Sequence, residues 1–352
     1  MLTSLTLQNF RSYKQTSWNL TNGVTCVVGL NAAGKTNILE AIMLLATGKS
    51  FRAGQDREVI RWGAEVARVT GTMGDEKLEI VLTPGIVSGQ KSSLKKHLVH
   101  GVPRRVIDFV GHIRAVLFWP EDLEIVTDSP SIRRRYLDTV LVQVDREYRR
   151  NLLSYERGVR QRNRLLDSIN EGTASRSQLL FWDQLLIRAG GYITQKRAEY
   201  IDFVNKTSLA DHRFHASYDK SVISESRLLQ YKDEEVAAKS TLVGPHRDDF
   251  SLFSMGEHPA KDSAQYRDMA KFGSRGEQRL VVLWLKLAEL SYIARETGER
   301  PTLLLDDIFS ELDESHRGLV GSIVSQQQTI ITSADIDSVP VGVRKTATLI
   351  QV

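Results

Sequence analysis

The sequence predicts an α/β fold: a nucleotide-binding sheet covered by helices, with an accessory β-subdomain and an inserted α-helical arm. Three observations carry this expectation. A short run rich in β-branched residues, Val24-Thr25-Cys26-Val27-Val28, leads into a glycine-rich loop, Gly29 to Thr36, and a helical periodicity follows it. Far downstream a second apolar run, Leu303-Leu304-Leu305, ends in Asp306-Asp307. Between the two lies a long stretch that steps by three, four and seven residues, as helices do.

Taken in order, Leu5 and Leu7 alternate with polar neighbours and predict a half-buried strand before the Val24–Val28 run. Ile38, Leu39, Ile42 and Leu45 fall at helical spacing, and Gly48 stands where a C-terminal glycine cap belongs. From Val66 to Leu98 the pattern is of strands, divided by Thr83-Pro84-Gly85 and Ser88-Gly89. From Ser131 to about Asn205 it is helical throughout. Val140, Val144, Tyr148, Leu152, Tyr155 and Val159 form one stripe, and Leu179, Leu186, Ile193 and Tyr200 form another, so two long helices are expected to pair as a hairpin around Gly172. After about Leu242 strands and helices alternate again, with Thr302–Leu305 and Thr329–Thr332 as buried strands and a helix around Leu319 between them. The expected organisation is therefore residues 1–125 and 241–352 as two parts of one head, with 126–240 inserted as the arm.

Composition narrows the classes. The 352 residues are 41% hydrophobic and 26% charged with a net charge of +4, as in an ordinary folded domain. That charge permits nucleic-acid binding without requiring it. The single cysteine, Cys26, excludes an internal disulfide and a multi-cysteine zinc site, and makes the cytoplasm the expected compartment. Met1 to Phe10 has no apolar signal region, and no run of about 18 apolar residues predicts a membrane span.

Gly29-Leu30-Asn31-Ala32-Ala33-Gly34-Lys35-Thr36 fits G-x-x-x-x-G-K-[ST] between a strand and a helix, the context that phosphate binding needs. The glycines let the backbone wrap a polyanion, and loop amides and the helix N-terminus face it. Lys35 is the expected partner of the β- and γ-phosphates, and Thr36, followed by Asn37, the hydroxyl ligand of Mg²⁺. Asp306, at the tip of the second strand, is the expected carboxylate for Mg²⁺. Asp307 is placed to orient the attacking water or accept its proton. The cofactors expected are ATP and Mg²⁺.

Three further segments identify a class. Gly273-Ser274-Arg275-Gly276-Glu277-Gln278 resembles the signature loop of ABC-type ATPases, Ser310-Glu311-Leu312-Asp313 resembles their D-loop, and Leu7-Gln8-Asn9-Phe10-Arg11-Ser12-Tyr13 resembles the N-terminal strand and turn of the SMC and RecF branch. Gly48–Arg52, Phe118–Leu123, Ser129–Asp138 and Gly244–Asp249 extend the resemblance to the RecF family over essentially the whole chain. It implies an ABC-type ATPase head with an inserted helical domain, dimerising on ATP so that Ser274 and Gly276 meet the γ-phosphate of the opposite subunit, with Arg11 near the nucleotide. It also implies DNA as a partner, a role in loading a recombinase at gapped DNA, and RecR and RecO as protein partners. Departures are Glu277, where glutamine is expected, and Asp307, where many relatives carry glutamate, which predicts slow turnover. The switch position falls at Thr332 or Ser333, and the Gln-loop equivalent near Glu121.

Ser131–Arg164 holds ten arginines and four acidic residues. Arg133, Arg134, Arg135, Arg157 and Arg160 are the candidate contacts to a phosphate backbone, and the absence of any base-reading motif predicts binding independent of sequence and sensitive to salt. Gly244–Asp249, with His246, Arg247, Asp248 and Asp249, resembles a catalytic cluster but is read as a turn stapled by an Arg–Asp pair. A structural SMC-like clamp remains the main alternative. A transporter subunit is disfavoured by the arm and the missing switch histidine, and a helicase or nuclease by the lack of a second motor or acidic cluster.

Overall fold

The computed structural model describes residues 1–209, 212–255, 266–311 and 314–352. The chain forms two compact units, residues 1–122 with 293–352 and residues 123–292.

The first unit holds two sheets. Five parallel strands run in the order Ala115–Phe118, Thr302–Asp306, Thr329–Ser333, Val24–Val28, Thr348–Gln351. The register sets Asp306 beside Thr332 and Ser333 beside Val28, so the phosphate loop and the carboxylate pair leave the sheet at the same, carboxyl-terminal edge. Leu303, Leu304, Leu305, Ile330 and Ile331 are buried on both faces of the sheet, which is why these runs are apolar without alternation. The second sheet is antiparallel, in the order Tyr13–Asn19, Ser4–Phe10, Ala67–Met73, Glu76–Leu82, Lys95–Val99, Val102–Arg104. Its first strand buries Leu5 and Leu7 by alternation. Asn9 then adopts a left-handed backbone (φ 49°) and Phe10 turns fully into the core.

The Lys35–Thr47 helix touches strands of both sheets, and Ile38, Leu39, Ala41, Ile42, Leu44 and Leu45 are all buried. Each large apolar side chain so buried contributes about 1.5–3 kcal/mol, and a helix held on nearly all sides is a rigid mount for the loop at its N-terminus. It ends at Gly48, whose N–H closes on the Leu44 carbonyl.

The second unit contains the helical hairpin. Where two long helices were expected there are three, Pro130–Val144, Arg146–Asn170 and Leu180–Val204, the last two separated around Gly172 as expected. Asp145 breaks the first from the second by capping the next helix, its carboxylate accepting from the Tyr148 amide. Tyr148, Leu152 and Tyr155 are buried on the second helix, and Leu186, Ile193 and Tyr200 on the third.

The return to the head was expected at residue 241, whereas residues 241–292 cluster with the arm. Pairing across the sequence accounts for this difference. Asp249–Met255 pairs antiparallel with Phe214–Asp219 and with Tyr266–Asp268. The Tyr136 hydroxyl also meets the Tyr200 hydroxyl at 2.5 Å and donates to the Leu285 carbonyl at 3.0 Å, tying the Arg275–Thr297 helix to the hairpin. Among the described residues no helix is long and apolar enough to cross a membrane.

Candidate functional site

Strand Val24–Val28 delivers the glycine-rich loop to the sheet edge, and the loop closes on itself through the Ala33 amide to the Leu30 carbonyl, 3.1 Å. Gly34 has φ 108°, and a β-carbon there would lie 2.8 Å from the Ser12 hydroxyl, so only glycine fits. Lys35, 9% exposed, donates from Nζ to the carbonyls of Gly29 (2.8 Å) and Leu30 (3.0 Å). This folds its ammonium over the loop while the helix amides behind it face the same opening.

The carboxylate pair meets this loop. Asp306, buried, accepts from the Thr36 hydroxyl at 3.1 Å and from the Thr332 hydroxyl at 2.6 Å. Thr332 also ties down the next residue: the Asp307 amide donates to the Thr332 carbonyl (3.1 Å) and hydroxyl oxygen (3.2 Å). Asp307 sits at φ 52°, an uncommon conformation for a non-glycine residue that places it at the loop rather than in the strand. Of the two switch positions expected, Thr332 bridges both aspartates, while the Ser333 hydroxyl instead bonds the Asp335 carbonyl at 2.7 Å.

A cavity of about 470 Å³ opens here, lined by Asn31, Ala32, Gly34, Lys35, Thr36, Asn37, Arg52, Trp119, Pro120, Glu121, Asp306 and Asp307. The hydroxyl of Thr36 and the carboxylate of Asp306 form a hard-oxygen pair suited to Mg²⁺, which takes few protein ligands and completes its shell from water and phosphates. Among the described residues no group of three or more acidic, histidine or cysteine side chains could hold a metal by itself.

Several expected site residues are placed differently. Arg11 does not line the cavity. Its Nε and Nη2 grip the buried Glu40 carboxylate at 2.8 and 2.6 Å, and Nη1 reaches the Glu58 carbonyl at 2.9 Å. Glu40 lies inside the phosphate-loop helix, so Arg11 braces that helix; Ser50 completes the clasp on Glu40 at 2.5 Å. The cationic residue in the cavity wall besides Lys35 is Arg52, whose Nη1 lies 3.3 Å from the Asn37 Oδ1. Arg52 and Trp119 fall within the family-like segments Gly48–Arg52 and Phe118–Leu123, but the sequence assigned neither of them a place at the nucleotide, because no fixed spacing ties them to the phosphate loop.

Ser274 and Gly276 are exposed at the start of the Arg275–Thr297 helix in the second unit. Ser274 and Glu277 form a reciprocal capping box: the Ser274 amide and hydroxyl both donate to Glu277 Oε2 at 2.8 Å, and the Glu277 amide returns to Ser274 Oγ at 3.4 Å. These bonds, with Arg267 alongside, lower the pKa of the Glu277 carboxyl below its ordinary value. The D-loop match falls partly outside the described residues, which omit Leu312 and Asp313; within it the Ser310 hydroxyl donates to the Asp307 carbonyl at 2.7 Å.

The basic segment divides sharply. Arg133 turns inward onto Asp249 (2.6 and 3.0 Å) and Arg134 onto the Asp248 carbonyl (2.8 Å), so both are partly engaged within the arm. Arg162 is buried against Asp183 and Glu235 at 2.7 Å each. Arg135, Arg157, Arg160 and Arg164 remain exposed without an ion pair among the described residues, the last three on one face of the Arg146–Asn170 helix. The Gly244–Asp249 segment forms a stapled turn, but its staples come from other elements: Arg133 on Asp249 and Arg197 on Asp248.

A glycine-rich loop carrying lysine and threonine, facing a strand-end carboxylate pair, defines the class: a P-loop ATPase head interrupted by a helical unit. Residues 1–345 match the family model of the RecF/RecN/SMC N terminal domain. The DNA replication and repair protein RecF of Roseiflexus castenholzii is 37% identical over 379 residues, covering 96% of this chain and 94% of that protein. Its counterpart in Moorella thermoacetica is 37% identical, covering 96% and 91%. Two solved structures of the recombination mediator protein RecF in the RecFOR pathway, RecF-ATPrS and RecF-ATP, superpose with TM-scores of 0.83 at 31% identity. They cover 97% and 95% of this chain, and 94% and 92% of their own. The chain belongs to the RecF family of the RecF/RecN/SMC ATPases.

Proposed function

We propose that the protein is an ATP-dependent DNA-binding ATPase of recombinational repair, which dimerises on ATP as a clamp or loader at gapped DNA and promotes recombinase loading with RecR and RecO. The observation that carries this reading is the join between Thr36, Asp306, Thr332 and Asp307 beside Lys35, in a chain that superposes along nearly its whole length on RecF-ATP. Lys35 and the loop amides hold the phosphates, Thr36 and Asp306 hold Mg²⁺, and Asp307 orients the attacking water and accepts its proton. The bound Mg²⁺ supplies neutralisation of phosphate charge. Arg52 adds a second cation in the cavity wall. An aspartate reaches less far than a glutamate, so turnover is slow and hydrolysis acts as a timer.

Sedimentation of the wild type with and without ATP–Mg²⁺ and gapped duplex DNA tests the proposal. Conversion to a dimer on ATP, with tighter DNA binding by the dimer, is expected. A monomer under all conditions, with DNA binding indifferent to nucleotide, would overturn it.

In such a dimer Ser274 donates to the γ-phosphate of the opposite subunit, yet its hydroxyl is held by the Glu277 carboxylate. Like charges about 4 Å apart oppose one another by about 1 kcal/mol even in water. Glu277→Gln keeps the capping box and removes the charge. The ATP-bound dimer of this variant is expected to dissociate roughly tenfold less readily by sedimentation equilibrium. An unchanged or weaker dimer rules out Glu277 as a brake.

For the DNA surface, replacing Arg135, Arg157 and Arg160 together by glutamine is expected to weaken duplex binding while leaving ATP affinity unchanged. It is also expected to flatten the plot of log affinity against log salt by about 0.9 for each phosphate that is no longer neutralised. A slope equal to wild type would place the DNA elsewhere.

A further inference from the structure

Trp62 is 99% exposed, more than any other large apolar side chain among the described residues. Its display is built. The Ala64 amide donates to the Arg61 carbonyl at 2.9 Å and Gly63 has φ 79°, so residues 61–64 form a tight turn with Trp62 at its leading corner and glycine at the position that requires positive φ. Asn9 clamps both ends: its carbonyl accepts from the Arg61 amide at 2.8 Å and its side-chain amide donates to the Val66 carbonyl at 3.1 Å. A bridge between Phe10 and Ile60, and the Arg11 amide on the Val59 carbonyl at 2.8 Å, fix the chain leading in.

The surroundings indicate what the indole meets. No second large apolar side chain is exposed within residues 51–66, so on its own segment the indole stands alone among polar and charged neighbours. Arg57 and Arg61 are exposed, and neither guanidinium has a partner among the described residues. The nearby carboxylates are engaged: Asp56 by Lys95 (2.5 Å), Glu58 by the Gly54 amide (3.0 Å), Glu65 by the Ser88 amide (2.9 Å). An exposed aromatic face on a fixed turn, with two unpaired arginines in the same short segment, is the combination that binds unpaired bases, by stacking on the base and charge on the neighbouring phosphates. Duplex DNA hides its base faces within the stack, whereas a single-stranded stretch offers them.

We propose that the Arg61–Ala64 turn is a contact for single-stranded DNA, with Trp62 stacking on an unpaired base and Arg57 and Arg61 neutralising the adjoining phosphates. This rests on the reading of the protein as DNA-binding and adds a second surface that tells single strand from duplex.

The test compares wild type, Trp62→Ala and Trp62→Phe, each with ATP–Mg²⁺, on fluorescein-labelled duplex carrying a ten-nucleotide oligo(dT) gap and on the same duplex sealed. One stacked base accounts for roughly 5- to 150-fold in affinity. Trp62→Ala is expected to bind the gapped DNA more weakly by a factor in that range and to match wild type on the sealed duplex, with Trp62→Phe close to wild type on both. Gapped DNA is also expected to quench tryptophan emission in wild type and not in Trp62→Phe. Equal gap binding by wild type and Trp62→Ala, or equal weakening on both DNAs, overturns the proposal and leaves the turn to a protein partner or to backbone contact. Failure of wild type to bind either DNA would instead overturn the reading of the protein as DNA-binding.

Discussion

Lys35→Ala is expected to lower ATP affinity by roughly a hundredfold or more while leaving the fold intact. The ammonium makes charge-assisted contacts to phosphate oxygens, each worth about 1.5–3 kcal/mol, and every 1.4 kcal/mol is a factor of ten. In the protein itself the lysine bonds only the carbonyls of Gly29 and Leu30, at the rim of an open cavity. Truncation therefore exposes two carbonyls to water and leaves no buried group unsatisfied. The variant should melt with the wild type when no nucleotide is present. It should also lack the rise in melting temperature that saturating ATP gives the wild type, since a ligand stabilises only in proportion to its binding. Calorimetric titration with ATP–Mg²⁺ measures the effect directly. A dissociation constant within threefold of wild type would mean that the phosphates sit elsewhere.

The phosphate loop and the Asp306-Asp307 pair were readable from sequence because each is local: a strand, a turn and a helix start within a dozen residues, or a strand and its tip. Their conjunction was readable only by analogy, since the register of Asp306 against Thr332 and the bond from Thr36 are long-range facts. Arg11 shows how proximity in the chain misleads. The turn it occupies does reach the loop, but through Ser12, which accepts from Asn37 at 3.0 Å, while Arg11 faces back to Glu40. The arginines of the arm fail for a related reason. Net charge cannot separate inward from outward guanidiniums, and the partners of Arg133 and Arg134 lie 116 and 114 residues away. Periodicity carried part of the answer. Arg162 lies seven residues beyond Tyr155, and Arg197 four beyond Ile193, both on the buried faces of their helices. Arg157, Arg160 and Arg164 fall on the opposite side of the first of these helices. A charge on an apolar stripe announces a buried partner.

That partner set makes Arg197 the position in the arm whose loss should be most damaging. The side chain is 3% exposed and joins three elements: Nη2 to Asp138 on the Pro130–Val144 helix at 2.8 Å, Nε to the Tyr148 hydroxyl at 3.1 Å, and Nη1 to Asp248 at 3.1 Å and to the Pro245 carbonyl at 2.7 Å. Asp248 is fully buried and also accepts from the Tyr218 hydroxyl and, at 2.8 Å, from the Ser221 amide. The same turn is pressed against the hairpin at Gly244, where a β-carbon would fall 2.1 Å from the Tyr155 hydroxyl. Arg197→Met keeps the length and apolar stem but removes the guanidinium that Asp248 and Asp138 bond directly, leaving Arg134 as the remaining nearby cation. Breaking a buried pair from one side costs about 3–5 kcal/mol. For a unit of this size that corresponds to a fall of roughly 6–20 °C in melting temperature. Arg197→Lys is expected to recover little, because one ammonium cannot span two carboxylates, a hydroxyl and a carbonyl. Combining Arg197→Met with Asp248→Asn should restore part of the stability, since the second change removes the buried charge that lost its bonded guanidinium; an additive double variant would show that the two residues do not act as a pair. Arg135→Ala, an exposed change on the same arm, should melt within about 0.5 kcal/mol of wild type. The contrast between these two arginines separates charge that holds the arm together from charge left free for a polyanion.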